Sequence, residues 1–124
     1  MGKFLATLDE GTLKNYKEIY SSPAITTNQL TLNLQNGNIF NVNLNANITI
    51  MSITNIPSSS FSTSFTLIFT ADGTARVVAW APSIKWPSGN APALTSTNGK
   101  RDVFVFTTTD GGTNWYGFVA GQNI

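Results

Sequence analysis

The sequence predicts an all-β fold: an antiparallel β-sandwich or jelly roll of about seven or eight strands behind an N-terminal arm. Three observations predict it. From Leu30 to Val119 apolar residues repeatedly alternate with Thr, Asn and Ser, the period of a strand with one buried face. Asn36-Gly37, Asp72-Gly73 and Asp110-Gly111-Gly112 punctuate that alternation with residues that tolerate positive φ. Helical spacing occurs only near the N-terminus and there supports about two turns.

Residues 1–22 form the expected arm and residues 23–124 the sandwich domain. In the arm, Leu13, Tyr16 and Tyr20 sit at helical spacing behind Thr12, a residue able to cap a helix. So short a helix is marginal alone, so the arm is expected either to pack on the sandwich or to order against a neighbour. Ser21-Ser22-Pro23 ends it. Leu30, Leu32 and Leu34 then alternate with Thr31 and Asn33, and Phe40, Val42 and Leu44 with Asn41 and Asn43. With Asn36-Gly37 between them, the two runs read as a hairpin. Ile48 and Ile50 share one face of the next strand, with Met51 and Ile53 on the other. Phe61 to Thr70 reads as a long strand with Phe65, Leu67 and Phe69 inward, and Asp72-Gly73 turns it into Ala75 to Trp80. Ala81 to Thr97, broken by Pro82, Pro87, Gly89 and Pro92, is a rigid excursion.

The last block, Lys100 to Gln122, reads as the hairpin at the centre of the fold. Val103 and Val105 alternate with Phe104 and Phe106, so both faces of that strand are apolar. Such a strand is either buried on both sides or placed at a subunit contact. Its partner, Trp115 to Val119, is the most aromatic run of the chain.

Composition excludes several kinds of chemistry. The chain of 124 residues contains no Cys and no His, which removes thiol and imidazole ligands or nucleophiles. No metal or cofactor is expected, because the carboxylates are not clustered as a calcium cage requires. A net charge of +1 with 10% charged residues leaves no footprint for a polyanion, so no nucleic-acid partner is expected. No apolar run reaches membrane-spanning length, and the first residues lack the apolar core of a secretion signal. Charges crowd the first eighteen residues, and none occurs from Ile19 to Ala71. A surface made neutral by Asn, Thr and Ser costs little to desolvate, which suits assembly, and a homotrimer is expected.

GNIFNVNL, SFTLIFTADGTA, IKWPSGNAPALT and RDVFVFTTTDGGTNWYGFVAGQ, in this order from about Leu30 to Gln122, together resemble a module of tailed-bacteriophage virion proteins. The resemblance implies a β-sandwich structural component on the outer surface of a capsid or tail. Oligomers, often trimers, are common among such proteins. It carries no catalytic set. The residues before Leu30 contain no collagen-like repeat or heptad run. A small accessory component is therefore expected, above all a capsid decoration (cement) protein, with a receptor- or glycan-binding fibre tip as the alternative. The expected partners are further copies of the chain and the major capsid protein or another virion protein, with a host glycan for the alternative.

The candidate contact residues follow from these readings. In the arm they are Phe4, Leu5, Leu8, Leu13, Tyr16, Ile19 and Tyr20, a half-apolar set suited to docking on a neighbouring subunit or a capsid. Trp86, Trp115 and Tyr116 could stack on sugar rings with Asn90 and Asn114 as hydrogen-bond partners, or serve as core or subunit contacts. Trp86 has a structural reading too, folding back to cap one end of the sandwich. Asp110 is explained by its turn and Asp102 by pairing with Arg101 or Lys100. A glycosidase would need two carboxylates facing one bond, and an enzyme is not expected.

Overall fold

A computed structural model describes residues 10–124, so Phe4, Leu5 and Leu8 lie outside the described residues. The described chain is all-β, with eight strands: β1 (Tyr20–Ser21), β2 (Gln29–Asn33), β3 (Ile39–Leu44), β4 (Ile50–Thr54), β5 (Thr63–Ala71), β6 (Ile84–Lys85), β7 (Arg101–Thr108) and β8 (Trp115–Gly121). Six form one sheet in the order β1-β3-β5-β7-β8-β6, and β2 and β4 form a second. Leu30 and Leu32 of β2 and Met51 of β4 share one core with the inward residues of the large sheet.

Pairing is mixed, which corrects the expectation of a purely antiparallel fold. β1 with β3, β3 with β5, β6 with β8 and β2 with β4 run parallel, while β5 with β7 and β7 with β8 run antiparallel. The cause is the path of the chain from β2 to β5, which alternates between sheets. Strands adjacent in sequence therefore lie in different sheets. Neighbours within a sheet are two strands apart in sequence and run the same way, each crossover being supplied by a strand of the other sheet.

That path also corrects the first hairpin. β2 pairs with β4 and not with β3. Between β2 and β3 lies a 3-10 turn, Leu34–Asn36, begun by the Asn33 side chain, which accepts a hydrogen bond from the Gln35 amide. Gly37 follows at φ 126°. A Cβ there would collide with the Ile19 carbonyl, so the glycine admits the backbone entering β1. Ala75 to Trp80 is likewise no strand of either sheet; it contributes a single bridge, Val78 to Ile48, and Val77 is exposed. β5 pairs instead with β7, from Thr63 opposite Thr108 to Thr70 opposite Arg101. In the β4 region Ile48 and Met51 are buried and Ile50 is exposed.

The arm contains no helix over Thr12–Ile19. Leu13, Tyr16 and Ile19 meet no partner surface that would offset the cost of nucleating two turns. Tyr20–Ser21 instead joins the large sheet beside Ile39–Phe40.

The β7–β8 hairpin forms as expected, and β7 lies inside the sheet with strands on both sides. Phe65, Leu67 and Phe69 of β5 point inward beside Phe104 and Phe106 of β7. Phe65 stacks on Phe106 at 4.9 Å between centroids and meets Trp115 edge-on, also at 4.9 Å. Such geometry adds to the area these rings remove from water.

Candidate functional site

The alternation that buries Phe104 and Phe106 puts Val103 and Val105 on the opposite face of the large sheet. Across the ladder, Val105 stands between Thr66 and Phe118, and Val103 beside Ile68, which is next to Asn41. Ser64, Thr107 and Tyr116 form a further row. This outer face is apolar at its centre, and its only charged side chains are at its ends, Arg101 on β7 and Lys85 on β6. Among the described residues no second layer covers it. Tyr116 and Phe118 remain 49% and 50% exposed.

At the β8 side of the sheet lies a shallow groove of about 230 Å³ lined by Lys85, Trp86, Pro87, Tyr116, Gly117 and Phe118. β6 is only two residues long and stops before Trp86. A 3-10 turn over Pro87–Gly89 then carries the chain away, with Ser88 at φ 56°. Trp86 packs edge-on against Trp80, Phe106 and Phe104 at 5.0, 5.5 and 5.8 Å. It fits because position 117 is glycine: a Cβ there would lie 3.0 Å from the indole ring.

The five candidate ligand-stacking residues therefore separate. Trp86 and Tyr116 meet in the groove. Trp115 is fully buried and offers no ring face to a ligand, which corrects its place among the sugar-stacking candidates. Asn114 is engaged by its turn, its amide nitrogen donating to Asp110 Oδ2 at 3.0 Å. Asn90 is exposed beyond the 3-10 turn and does not line the groove. In the arm, Leu13, Tyr16, Ile19 and Tyr20 are all exposed.

Three carboxylates beyond the arm, Asp72, Asp102 and Asp110, are occupied structurally. Asp110 accepts from the Asn114 backbone at 2.9 Å, from its side chain, and from the Thr108 hydroxyl at 2.9 Å. Those bonds, led by the Asn114 N–H, hold its carboxyl below the usual carboxylate range. The Thr108 oxygen in turn accepts from the Gly112 N–H, so a single network closes the turn. The Arg76 guanidinium, together with the Thr74 N–H, lowers Asp72 in the same way. Asp102 departs from expectation. It is buried and pairs with neither Lys100 nor Arg101. It accepts from the Thr95 N–H at 2.7 Å, the Asn123 N–H at 3.1 Å and the Gln122 amide at 3.3 Å. It thus ties the last residues of the chain to β7.

A second small cavity, about 110 Å³, lies between Ser22–Ile25 and the ladder Asn41, Asn43 and Asn45. It has room for a few waters. Sequence reading missed it, and its one signal was the alternation of Asn along β3. Among the described residues no three carboxylates come together as a metal cage.

Comparison with family models, curated proteins and solved structures found no match for this chain.

Proposed function

We propose that this chain is a non-enzymatic structural protein of a tailed-bacteriophage virion, a capsid decoration (cement) protein that binds the capsid surface as an oligomer. The proposal reads the two sheets about one core as a β-sandwich of jelly-roll type. The observation that carries it is the pair of uncovered apolar surfaces, the outer face of the large sheet and the arm, in a chain whose Asp72, Asp102 and Asp110 are bound up in turns and in the C-terminal tie. Large uncovered apolar patches are rare on soluble monomers and mark interaction sites. The order of the four sequence stretches resembling virion modules supplies the setting.

Purified virions run on a denaturing gel supply the test. A cement protein gives a 13.3 kDa band comparable in copy number with the major capsid protein. A band in only a few copies, or none, would sink this function.

A fibre-tip adhesin is the second reading, favoured by the groove in which Tyr116 stands beside Trp86. Aromatic side chains exposed at a shallow groove suit the apolar face of a sugar ring. Titration with oligosaccharides of the host surface would show binding that Tyr116→Ala removes. Equal binding by the variant would exclude the groove.

A further inference from the structure

We infer that Asn36 is a site of spontaneous deamidation, and that its conversion to isoaspartate frees β1 from the edge of β3. The chain holds two Asn-Gly pairs, Asn36-Gly37 and Asn98-Gly99, and both asparagines are exposed. In such a pair the glycine nitrogen attacks the asparagine side-chain carbon, unhindered by a Cβ of its own. The glycine nitrogen gives up its proton and the side-chain amide leaves as ammonia, which closes a cyclic succinimide. Water then opens the ring at either carbonyl, giving aspartate or isoaspartate. Water is the only co-reactant, and no electrons are exchanged.

The two pairs differ in what holds the attacking nitrogen. The Gly99 N–H donates to the Ala71 carbonyl at 2.9 Å, and the neighbouring Lys100 carbonyl accepts from the Ala71 N–H, also at 2.9 Å. Attack on Asn98 must first break that tie between the ends of β5 and β7. No acceptor among the described residues stands in hydrogen-bond geometry to the Gly37 N–H. The 3-10 turn before it buries none of its residues, so turning the Asn36 peptide toward ring closure displaces no core.

Isoaspartate carries the main chain through the former side chain, which adds one carbon to the backbone between positions 36 and 37. It also places a carboxylate in the charge-free span from Ile19 to Ala71. Gly37 has no slack to absorb the added length, because its backbone already lies against the Ile19 carbonyl. β1 starts at the next residue and is held to β3 by two residue pairs only, Tyr20 with Ile39 and Ser21 with Phe40. A displaced Gly37 therefore pushes on the start of β1.

Peptide mapping of the full chain, incubated folded at mildly alkaline pH, tests the site. Asn36 is expected to convert roughly tenfold faster than Asn98, the worth of the hydrogen bonds that must open at Gly99. In denaturant, where those bonds are gone, the two rates are expected to converge. Equal rates in the folded chain, faster conversion at Asn98, or no conversion at Asn36 would overturn the site. The isoaspartate form, isolated by ion exchange and identified by isoaspartyl methylation, tests the consequence through hydrogen exchange at Tyr20 and Ser21. Those amides are expected to exchange faster than in fresh protein, while Asn36→Ser incubated alongside stays unchanged. Fresh Asn36→Asp brings the charge without the added carbon and is expected to exchange as the wild type does. Equal exchange in the isoaspartate form and the fresh chain would overturn the release of β1. Fast exchange in fresh Asn36→Asp would overturn the role of the added carbon.

Discussion

Gly117 and Trp86 form one packing unit, because the indole occupies the space a side chain at 117 would take. A Cβ at 117 would also lie 3.1 Å from Phe106, so a side chain there presses on both rings. Gly117→Val should destabilise the fold by about 1–3 kcal/mol, the usual cost of overpacking, and chemical denaturation measures it. Asp102 works differently, through hydrogen bonds to two N–H groups and one amide. Asp102→Ala leaves those donors without their acceptor and should cost about 1–3 kcal/mol. The C-terminal residues should then exchange their amide hydrogens faster. Asp110 and Asp72 set the acid limit. Both carboxyls are lowered in the folded chain, so their contribution is present above the unfolded value, about 3.9. It is lost as pH falls through the lowered folded values. Stability measured from neutral to acid pH should decline there, and Asp110→Asn should flatten the decline. An unchanged profile in that variant would show that the turn network contributes nothing through charge.

At the scale of elements, β7 and β8 have the only long hairpin in the sheet, and the aromatic cluster is built on it. Trp115 sits against Phe65 and beneath Gly112, where a Cβ would lie 3.1 Å from the indole nitrogen. Trp115→Ala empties the largest fully buried side chain and should cost roughly 3–5 kcal/mol. β1 is a short edge strand that covers the start of β3, and edges are where a sheet is open to unwanted pairing. At concentrations too low for copies to associate, removing residues 1–19 spares β1 and should leave the thermal midpoint nearly unchanged. Removing residues 1–22, which takes β1 as well, should lower it and promote aggregation. Equal melts for the two truncations would mean that β1 adds nothing to the sheet.

At the scale of the whole molecule, charge and apolar surface are kept apart. The outer sheet face is neutral at its centre, and the charge-free span from Ile19 to Ala71 supplies the whole of the first five strands. Association through such surfaces is driven by apolar burial and is only weakly screened by salt. Oligomer mass should accordingly hold between low and high ionic strength. Dissociation on adding salt would point to an interface built on the terminal charges instead.

Much of the molecule is written in local chemistry. Alternation marked the inward faces of β3, β5 and β7, because a half-buried strand must place apolar residues at every second position. Asp110-Gly111-Gly112 marked the last hairpin, because so tight a turn needs positive φ, which Gly111 and Gly112 adopt at 69° and 86°. The doubly apolar pattern of Val103 to Phe106 left open whether the outer face of that strand is buried or lies at a subunit contact. Tertiary structure alone decided which strands became neighbours. Leu30 to Leu44 has the same alternation whether it folds as a hairpin or crosses between sheets, since alternation reports burial and not the partner across the ladder. The choice fell to packing: Leu30, Leu32 and Met51 had to close over Phe40, Phe65 and Phe104. The same packing put Trp115 inside and left Tyr116 beside it in water, a difference set by which face of β8 met the core.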